Sequence, residues 1–105
     1  MADRNINQEV YRSLQKIPKG KATTYGSIAK RLDLNPRQVG RILSKNERPA
    51  EYPCYKVVRS DGSLGGYTIR DKNDAATLDI KKKKLLADGV FFDKGKVDKA
   101  SLMSM

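Results

Sequence analysis

Three short apolar periodicities fill the first 45 positions, each cut off by turn residues, and they force this part of the chain into short helices packed on one another. From Asn5 to Lys16, Ile6, Val10 and Leu14, with Ile17 just beyond, recur at helical spacing between polar residues. Pro18-Lys19-Gly20-Lys21 ends that run. Thr23 and Thr24 then offer capping hydroxyls to a second helix that starts near Tyr25 and carries an Ile28-Ala29-Leu32 face. After the Asp33-Leu34 turn, Asn35 supplies a capping side chain and Pro36 suits the first helical position, which predicts a third helix over Pro36 to Lys45. Its Val39, Ile42 and Leu43 face inward. Arg37, Arg41 and Lys45, each four apart, fall in one outward row. Two short helices across a tight turn, the second with a cationic face, fit a helix-turn-helix, although such a row also suits a solvated helix in a small bundle.

The second half turns on Pro53-Cys54-Tyr55-Lys56-Val57-Val58, which follows a polar connector from Asn46 to Tyr52. A strand opening on Cys54, a tight turn at Asp61-Gly62 and a return strand ending at Tyr67 would set the thiol beside a wall made by Gly65-Gly66. A lone cysteine is equally a small buried hydrophobe. Thr68 to Ala76 reads as a loop. A last helix is expected over Ala75 to Ala87, with Leu78, Leu85 and Leu86 inward and Lys81 to Lys84 mostly in solvent, stopped by Asp88-Gly89. Val90-Phe91-Phe92, Asp93-Lys94-Gly95 and Lys96-Val97 predict a small terminal hairpin, and the tail beyond Lys99 is expected to fray.

At 105 residues the chain is expected to form a single domain over 1–105 with one modest core. It has neither an apolar run long enough to span a membrane nor an apolar signal-peptide core, which points to the cytoplasm and away from membranes. One cysteine excludes an internal disulfide, and the absence of histidine excludes imidazole metal sites and Ser-His or Cys-His catalysis. No metal or cofactor is expected. Residues 1–60 hold 13 Lys and Arg against 5 Asp and Glu, whereas residues 61–105 hold 9 against 7, so the positive excess sits in the first half and suits a polyanionic partner.

Several pieces then fall into a recognisable order: Ile17-Pro18-Lys19-Gly20 with Thr24-Tyr25-Gly26-Ser27-Ile28-Ala29; Asn35-Pro36-Arg37-Gln38-Val39-Gly40 and Asn46; Pro53-Cys54 with Val57-Val58; Gly62 and Leu64-Gly65-Gly66-Tyr67; Leu85-Leu86-Ala87-Asp88-Gly89-Val90. Over roughly residues 5–92 the chain resembles the DNA-binding, active-site domain of O6-alkylguanine-DNA alkyltransferases and their alkyltransferase-like relatives. The resemblance implies a mostly α fold with a small β-hairpin, a winged-helix-like bundle whose helix-turn-helix enters the minor groove of duplex DNA. It implies a monomer, in the nucleus if the source is eukaryotic, whose partner is double-stranded DNA carrying O6-alkylguanine. The implied reaction is direct reversal: the damaged base swings out of the stack and the cysteine takes its alkyl group irreversibly.

Carried over by position, Cys54 is the alkyl acceptor and Arg37 the finger that fills the gap left by the base. Tyr25 crowds the phosphate and meets the flipped guanine. Thr24, Gln38, Arg41 and Lys45 complete the DNA-contacting set. Val57 supplies a backbone carbonyl to the lesion pocket, whose wall is Gly66, Tyr67 and Thr68, and Asn46 braces the turn beneath the cysteine. Tyr55 and Asp88 stand where the family has a relay histidine and its orienting glutamate, and Lys56 where it has arginine. A phenol, ordinarily near 10, is a poor base for a thiol ordinarily near 8.5, so activation falls to nearby cations such as Lys56 and Arg59 or to a helix N-terminus. The stretch lacks the family's N-terminal domain, as stand-alone alkyltransferase-like proteins do, but keeps the cysteine that those relatives replace. Ile69-Arg70 stand in place of a Gly-Gly pair, and the loop after Tyr67 is longer than in the family. Methyl transfer, lesion binding without transfer, and plain winged-helix DNA binding are the three functions these residues support.

Overall fold

The computed structural model describes residues 5–68 and 72–105. The expected helices form where their caps lie. Helix α1 spans Ile6–Leu14, with the Asn5 side chain accepting the Gln8 N–H at 3.0 Å. Helix α2 spans Tyr25–Leu32, and the Thr24 hydroxyl accepts the Ser27 N–H at 3.0 Å. Asp33 ends it in the left-handed region (φ 58°). Helix α3 spans Pro36–Ser44 behind a complete capping box, in which Asn35 and Gln38 exchange two hydrogen bonds of 2.9 Å. Val10 and Leu14 from α1, Ile28 and Ala29 from α2, and Val39 and Leu43 from α3 close the main core. The pair α2 and α3 across the Asp33-Leu34 turn is the expected helix-turn-helix.

The segment around the cysteine departs from expectation. Cys54–Lys56 is a single 3-10 turn, and the strand that follows, β2 (Val57–Val58), pairs in parallel with β1 (Thr23–Thr24). No return strand forms among the described residues up to Tyr67. Asp61-Gly62 does reverse the chain, with the Gly62 N–H on the Arg59 carbonyl and the Arg59 N–H on the Ser63 carbonyl, both at 2.9 Å. The returning backbone, however, is used elsewhere. The Gly62 carbonyl accepts from Val97, and a Cβ on Gly62 (φ 89°) would lie 2.6 Å from the Val97 carbonyl oxygen. With β1 alongside β2 and the Leu64 and Gly66 carbonyls held by a lysine, a hairpin has no free partners.

Helix α4 covers Ala75–Ala87 as expected, capped by an Asp74–Thr77 box. Its buried face is Thr77, Lys81 and Leu85, so Lys81 is enclosed rather than solvated and Leu86 is half exposed rather than inward. The spacing of four places these three residues in one row. Strands β3 (Phe92–Asp93) and β4 (Lys96–Val97) form the terminal hairpin, with positive φ at Lys94 and Gly95. The tail beyond Lys99 is not frayed. Lys99–Ser101 forms a 3-10 turn, and the Ala22 N–H donates to the Ser101 carbonyl and the Met103 N–H to the Ala22 carbonyl, both at 2.8 Å. The Thr23 hydroxyl donates to the Met103 carbonyl, and the Met105 N–H to the Ser27 hydroxyl. The free side of β1 gives the tail its partner. Among the described residues no helix is long and apolar enough to cross a membrane.

Candidate active site

A cleft of about 680 Å³ opens between α2, α3 and the glycine segment. Tyr25, Pro36, Arg37, Gly40, Cys54, Arg59, Gly65, Gly66, Tyr67 and Thr68 all line it. Cys54 is 9% exposed: it packs into the main core and also lines this cleft.

The turn that presents Cys54 is braced from below. Both the Cys54 N–H and the Asn46 side-chain NH2 donate to the Tyr52 carbonyl at 2.8 Å, while the Asn46 side-chain oxygen accepts the Arg48 N–H at 3.0 Å. The Tyr52 ring stacks on Tyr11 with centroids 5.2 Å apart, and the Tyr11 hydroxyl donates to the Ile42 carbonyl at 3.0 Å. The cysteine turn is thereby tied to α1 and α3. Asn46→Ala is expected to lower the unfolding free energy by about 1 kcal/mol, the net value of a hydrogen bond. Urea denaturation measures it.

The opposite wall needs glycine. Gly65 has φ 72°, a conformation that favours glycine, and a Cβ there would approach the Tyr25 ring to 3.2 Å, so glycine lets the ring come close to this backbone. Burial first, then the neighbouring Cys54, raises the Tyr25 hydroxyl above its usual 10, and it stays a neutral donor at physiological pH. Tyr67 is buried, its hydroxyl accepting from Lys84 Nζ at 3.1 Å, and Thr68 is half-buried beside it. Arg37, in the first turn of α3, lines the cleft and is exposed. Arg41 and Lys45 are exposed further along the same helix. The Gln38 side-chain oxygen and the Thr24 hydroxyl are both engaged as helix caps.

Val57, Tyr55 and Asp88, singled out for the pocket and the relay, are not among the residues that line the cleft. Val57 is wholly buried, and its carbonyl accepts from Lys81 Nζ at 2.7 Å. Tyr55 is half-buried with Lys84 Nζ 5.7 Å above its ring; burial, then the charge of Asp88 and a hydrogen bond to it, raises the phenol above 10. The phenol therefore remains protonated at neutral pH. Asp88 holds Lys56 Nζ and the Gly20 N–H, each at 2.9 Å. Burial alone would raise the Asp88 carboxyl, but the hydrogen bonds from Lys56 and Gly20 outweigh it and hold it below the usual carboxylate value. Lys56 is buried on Asp88 and the Pro18 carbonyl (2.8 Å). Of the two cations expected near the sulfur, Arg59 lines the cleft and Lys56 does not. The cation that sequence reasoning missed is Lys81, wholly buried under the glycine wall.

The chain matches known proteins in sequence and in fold. The family model described as "6-O-methylguanine DNA methyltransferase, DNA binding domain" matches residues 5–90. A bifunctional methyltransferase/endonuclease of Picrophilus torridus is 41% identical over 91 residues, covering 85% of this chain and 28% of that protein. A methylated-DNA–protein-cysteine methyltransferase of Pyrobaculum aerophilum is 42% identical over 73 residues, covering 70% of this chain and 45% of its own. The chain thus spans less than half the length of either relative. Among solved structures, S. pombe Atl1 in complex with damaged DNA containing O6-carboxymethylguanine superposes with a TM-score of 0.77 at 25% identity, covering both chains completely. Mycobacterium tuberculosis OGT in complex with DNA gives 0.70 at 26% identity, over 84% of this chain and 52% of that one.

Proposed function

The chain belongs to the 6-O-methylguanine DNA methyltransferase family through its DNA-binding domain, and from that premise we propose that it repairs O6-methylguanine in duplex DNA by taking the methyl group onto Cys54. One observation supports the reading above the others: the only cysteine in the chain lines an open cleft that Arg37 also lines. The reaction needs a base removed from the stack, because the O6 substituent is out of reach inside a duplex. Arg37 fills the vacated space, long enough to enter it and charged enough to meet phosphates. Tyr25, protonated and close against the glycine wall, donates to the extruded guanine. The Cys54 thiolate attacks the methyl carbon, an S–C bond forms, and the C–O6 bond breaks with its electron pair passing to the purine. The purine anion takes up one proton, matching the one the thiol gave up, and guanine is restored. The sulfur ends as a thioether, so each molecule acts once.

Mass spectrometry after incubation with an O6-methylguanine duplex tests this directly: the Cys54 peptide is expected to gain one methyl group, and its absence at long times rejects transfer. A second reading, lesion binding without transfer, is favoured by Tyr55, whose phenol is pushed above 10 and turned to Asp88 and so provides no base for the thiol. Both readings share the finger. Arg37→Ala is expected to weaken binding to the lesion duplex by about 1–3 kcal/mol, the range for a key DNA contact. Fluorescence anisotropy at fixed salt measures it, and unchanged affinity removes Arg37 from that role.

A further inference from the structure

The two glycines of the cleft wall are there for different reasons. Gly65 has a positive φ, whereas Gly66 does not, and what Gly66 lacks is room for a side chain. A Cβ on Gly66 would lie 2.9 Å from Nδ2 of Asn73 and 3.4 Å from its Oδ1, so the Asn73 carboxamide fills the space a side chain would take. Both residues line the cleft, and Asn73 is exposed there. The amide is held from two directions. Asn73 precedes Asp74, the N-cap of α4, whose box with Thr77 has both bonds at 3.0 Å. Its Oδ1 accepts the Tyr67 N–H at 3.2 Å.

The bond to Tyr67 decides which end of the amide is free. A backbone N–H only donates, so the oxygen of Asn73 must face it and the NH2 end keeps two hydrogens to give. That NH2 makes no hydrogen bond among the described residues. An asparagine free to turn over offers a donor or an acceptor, but this one offers donors only. A base drawn out of the stack is read by hydrogen bonds to its Watson–Crick edge. Guanine carries a hydrogen on N1 at that edge. Alkylation at O6 leaves N1 without it, and N1 becomes an acceptor. We propose that Asn73 is a specificity-determining residue of this cleft: its locked NH2 donates to N1 of O6-alkylguanine and meets the N1–H of unmodified guanine donor to donor. This rests on the cleft receiving an extruded O6-alkylguanine, as proposed above. Unmodified guanine would leave two donors enclosed without an acceptor, a larger penalty than the gain from one hydrogen bond made. Glycine at position 66 is what leaves room for the amide.

The test reads binding by fluorescence anisotropy at fixed salt, with the whole chain carrying Cys54→Ala so that nothing is transferred meanwhile. Three duplexes carry guanine, O6-methylguanine or O6-methyl-1-deazaguanine, in which C–H replaces N1. Each base stands opposite an abasic site, so that pairing strength drops out. The deaza analogue is expected to bind about fivefold more weakly than O6-methylguanine, the value of one neutral hydrogen bond. Equal affinity for the two overturns the proposal, as does the lack of any preference for O6-methylguanine over guanine. Asn73→Asp, added to the same chain, keeps an oxygen for the Tyr67 N–H but has no hydrogen to donate. It is expected to bind O6-methylguanine and the deaza analogue alike, and to lose about fivefold of the preference for O6-methylguanine over guanine. The added negative charge acts on all three duplexes, so ratios are scored rather than affinities. A folded Asn73→Asp protein, checked by circular dichroism, that keeps both ratios overturns the proposal, because Asn73 then only braces the wall. Methyl transfer is scored separately on the unaltered protein. Methylation of Cys54 without these ratios refutes the role of Asn73 alone. The ratios without methylation refute transfer and leave Asn73 as the residue that reads the lesion.

Discussion

Asp88→Asn is expected to destabilise the protein by about 3–5 kcal/mol, the loss seen when one partner of a buried ion pair is removed. The pair is Lys56 Nζ on the Asp88 carboxylate at 2.9 Å, with side-chain exposures of 4% and 16%. The amide keeps the shape and one acceptor oxygen but not the charge, so the Lys56 ammonium stays enclosed among neutral acceptors alone, the amide oxygen and the Pro18 (2.8 Å) and Ile17 (3.4 Å) carbonyls. The same carboxylate takes the Gly20 N–H at 2.9 Å, which means one side chain joins the turn after α1, the end of α4 and the residue two places after Cys54. For a domain of this size the expected fall in Tm is about 15–30 °C, read by calorimetry. Lys56→Met added to Asp88→Asn should recover much of that loss, because the stranded charge is gone. The pH dependence has a definite sign. The Asp88 carboxyl is held below its usual value in the folded state, so its contribution is complete above the ordinary carboxylate range and is lost as pH falls through the lowered one. Acid should therefore narrow the gap between the unaltered protein and Asp88→Asn. A variant with the same Tm at pH 7 would show that the pair contributes nothing net.

Residues whose roles are set within three or four positions are legible in the sequence itself. Asn5, Thr24 and Asn35 each cap the helix that follows them, and α4 runs over the expected residues, because a cap and a periodicity are both local. The same holds for the cleft, where Tyr25, Arg37, Cys54 and Gly65-Gly66 each carry their own short motif and meet in space. Long-range pairing leaves no such mark. Two threonines and two valines give no local sign that Thr23 and Thr24 pair with Val57 and Val58 across two helices, and a hairpin is the reading that Val57-Val58 and the Asp61-Gly62 turn invite on their own. The ordered tail is a consequence of the same blind spot, since it needs β1 to exist before Met103 has an edge to join. Lys81 is different, because its burial does have a signal in the sequence. It lies four residues before Leu85, so the phase of α4 already turns it inward, and only the habit of treating a lysine run as solvated hides it.

Cys54→Ala is expected to abolish methyl transfer completely while leaving affinity for an O6-methylguanine duplex within about threefold. Under the proposed function, transfer needs a nucleophile that alanine lacks, whereas docking is assigned to Arg37 and Tyr25, whose attachments lie elsewhere: Arg37 on the capped first turn of α3, Tyr25 against Gly65 and beside Lys81. Losing one sulfur from a residue that is 9% exposed should cost about 1 kcal/mol of stability, small beside the whole, so the variant folds and its binding is meaningful. Anisotropy with lesion and undamaged duplexes, alongside mass spectrometry of the unaltered protein, then separates the two readings. A methylated Cys54 with lesion binding kept in the alanine variant identifies a transferase whose recognition and chemistry are separable. Lesion-selective binding in both proteins with no methyl on Cys54 identifies a lesion binder, and Tyr55 in place of a proton acceptor is then the physical cause. Lesion affinity that collapses with the sulfur would mean that Cys54 holds the cleft open rather than reacting in it, and the proposed chemistry would fall with it.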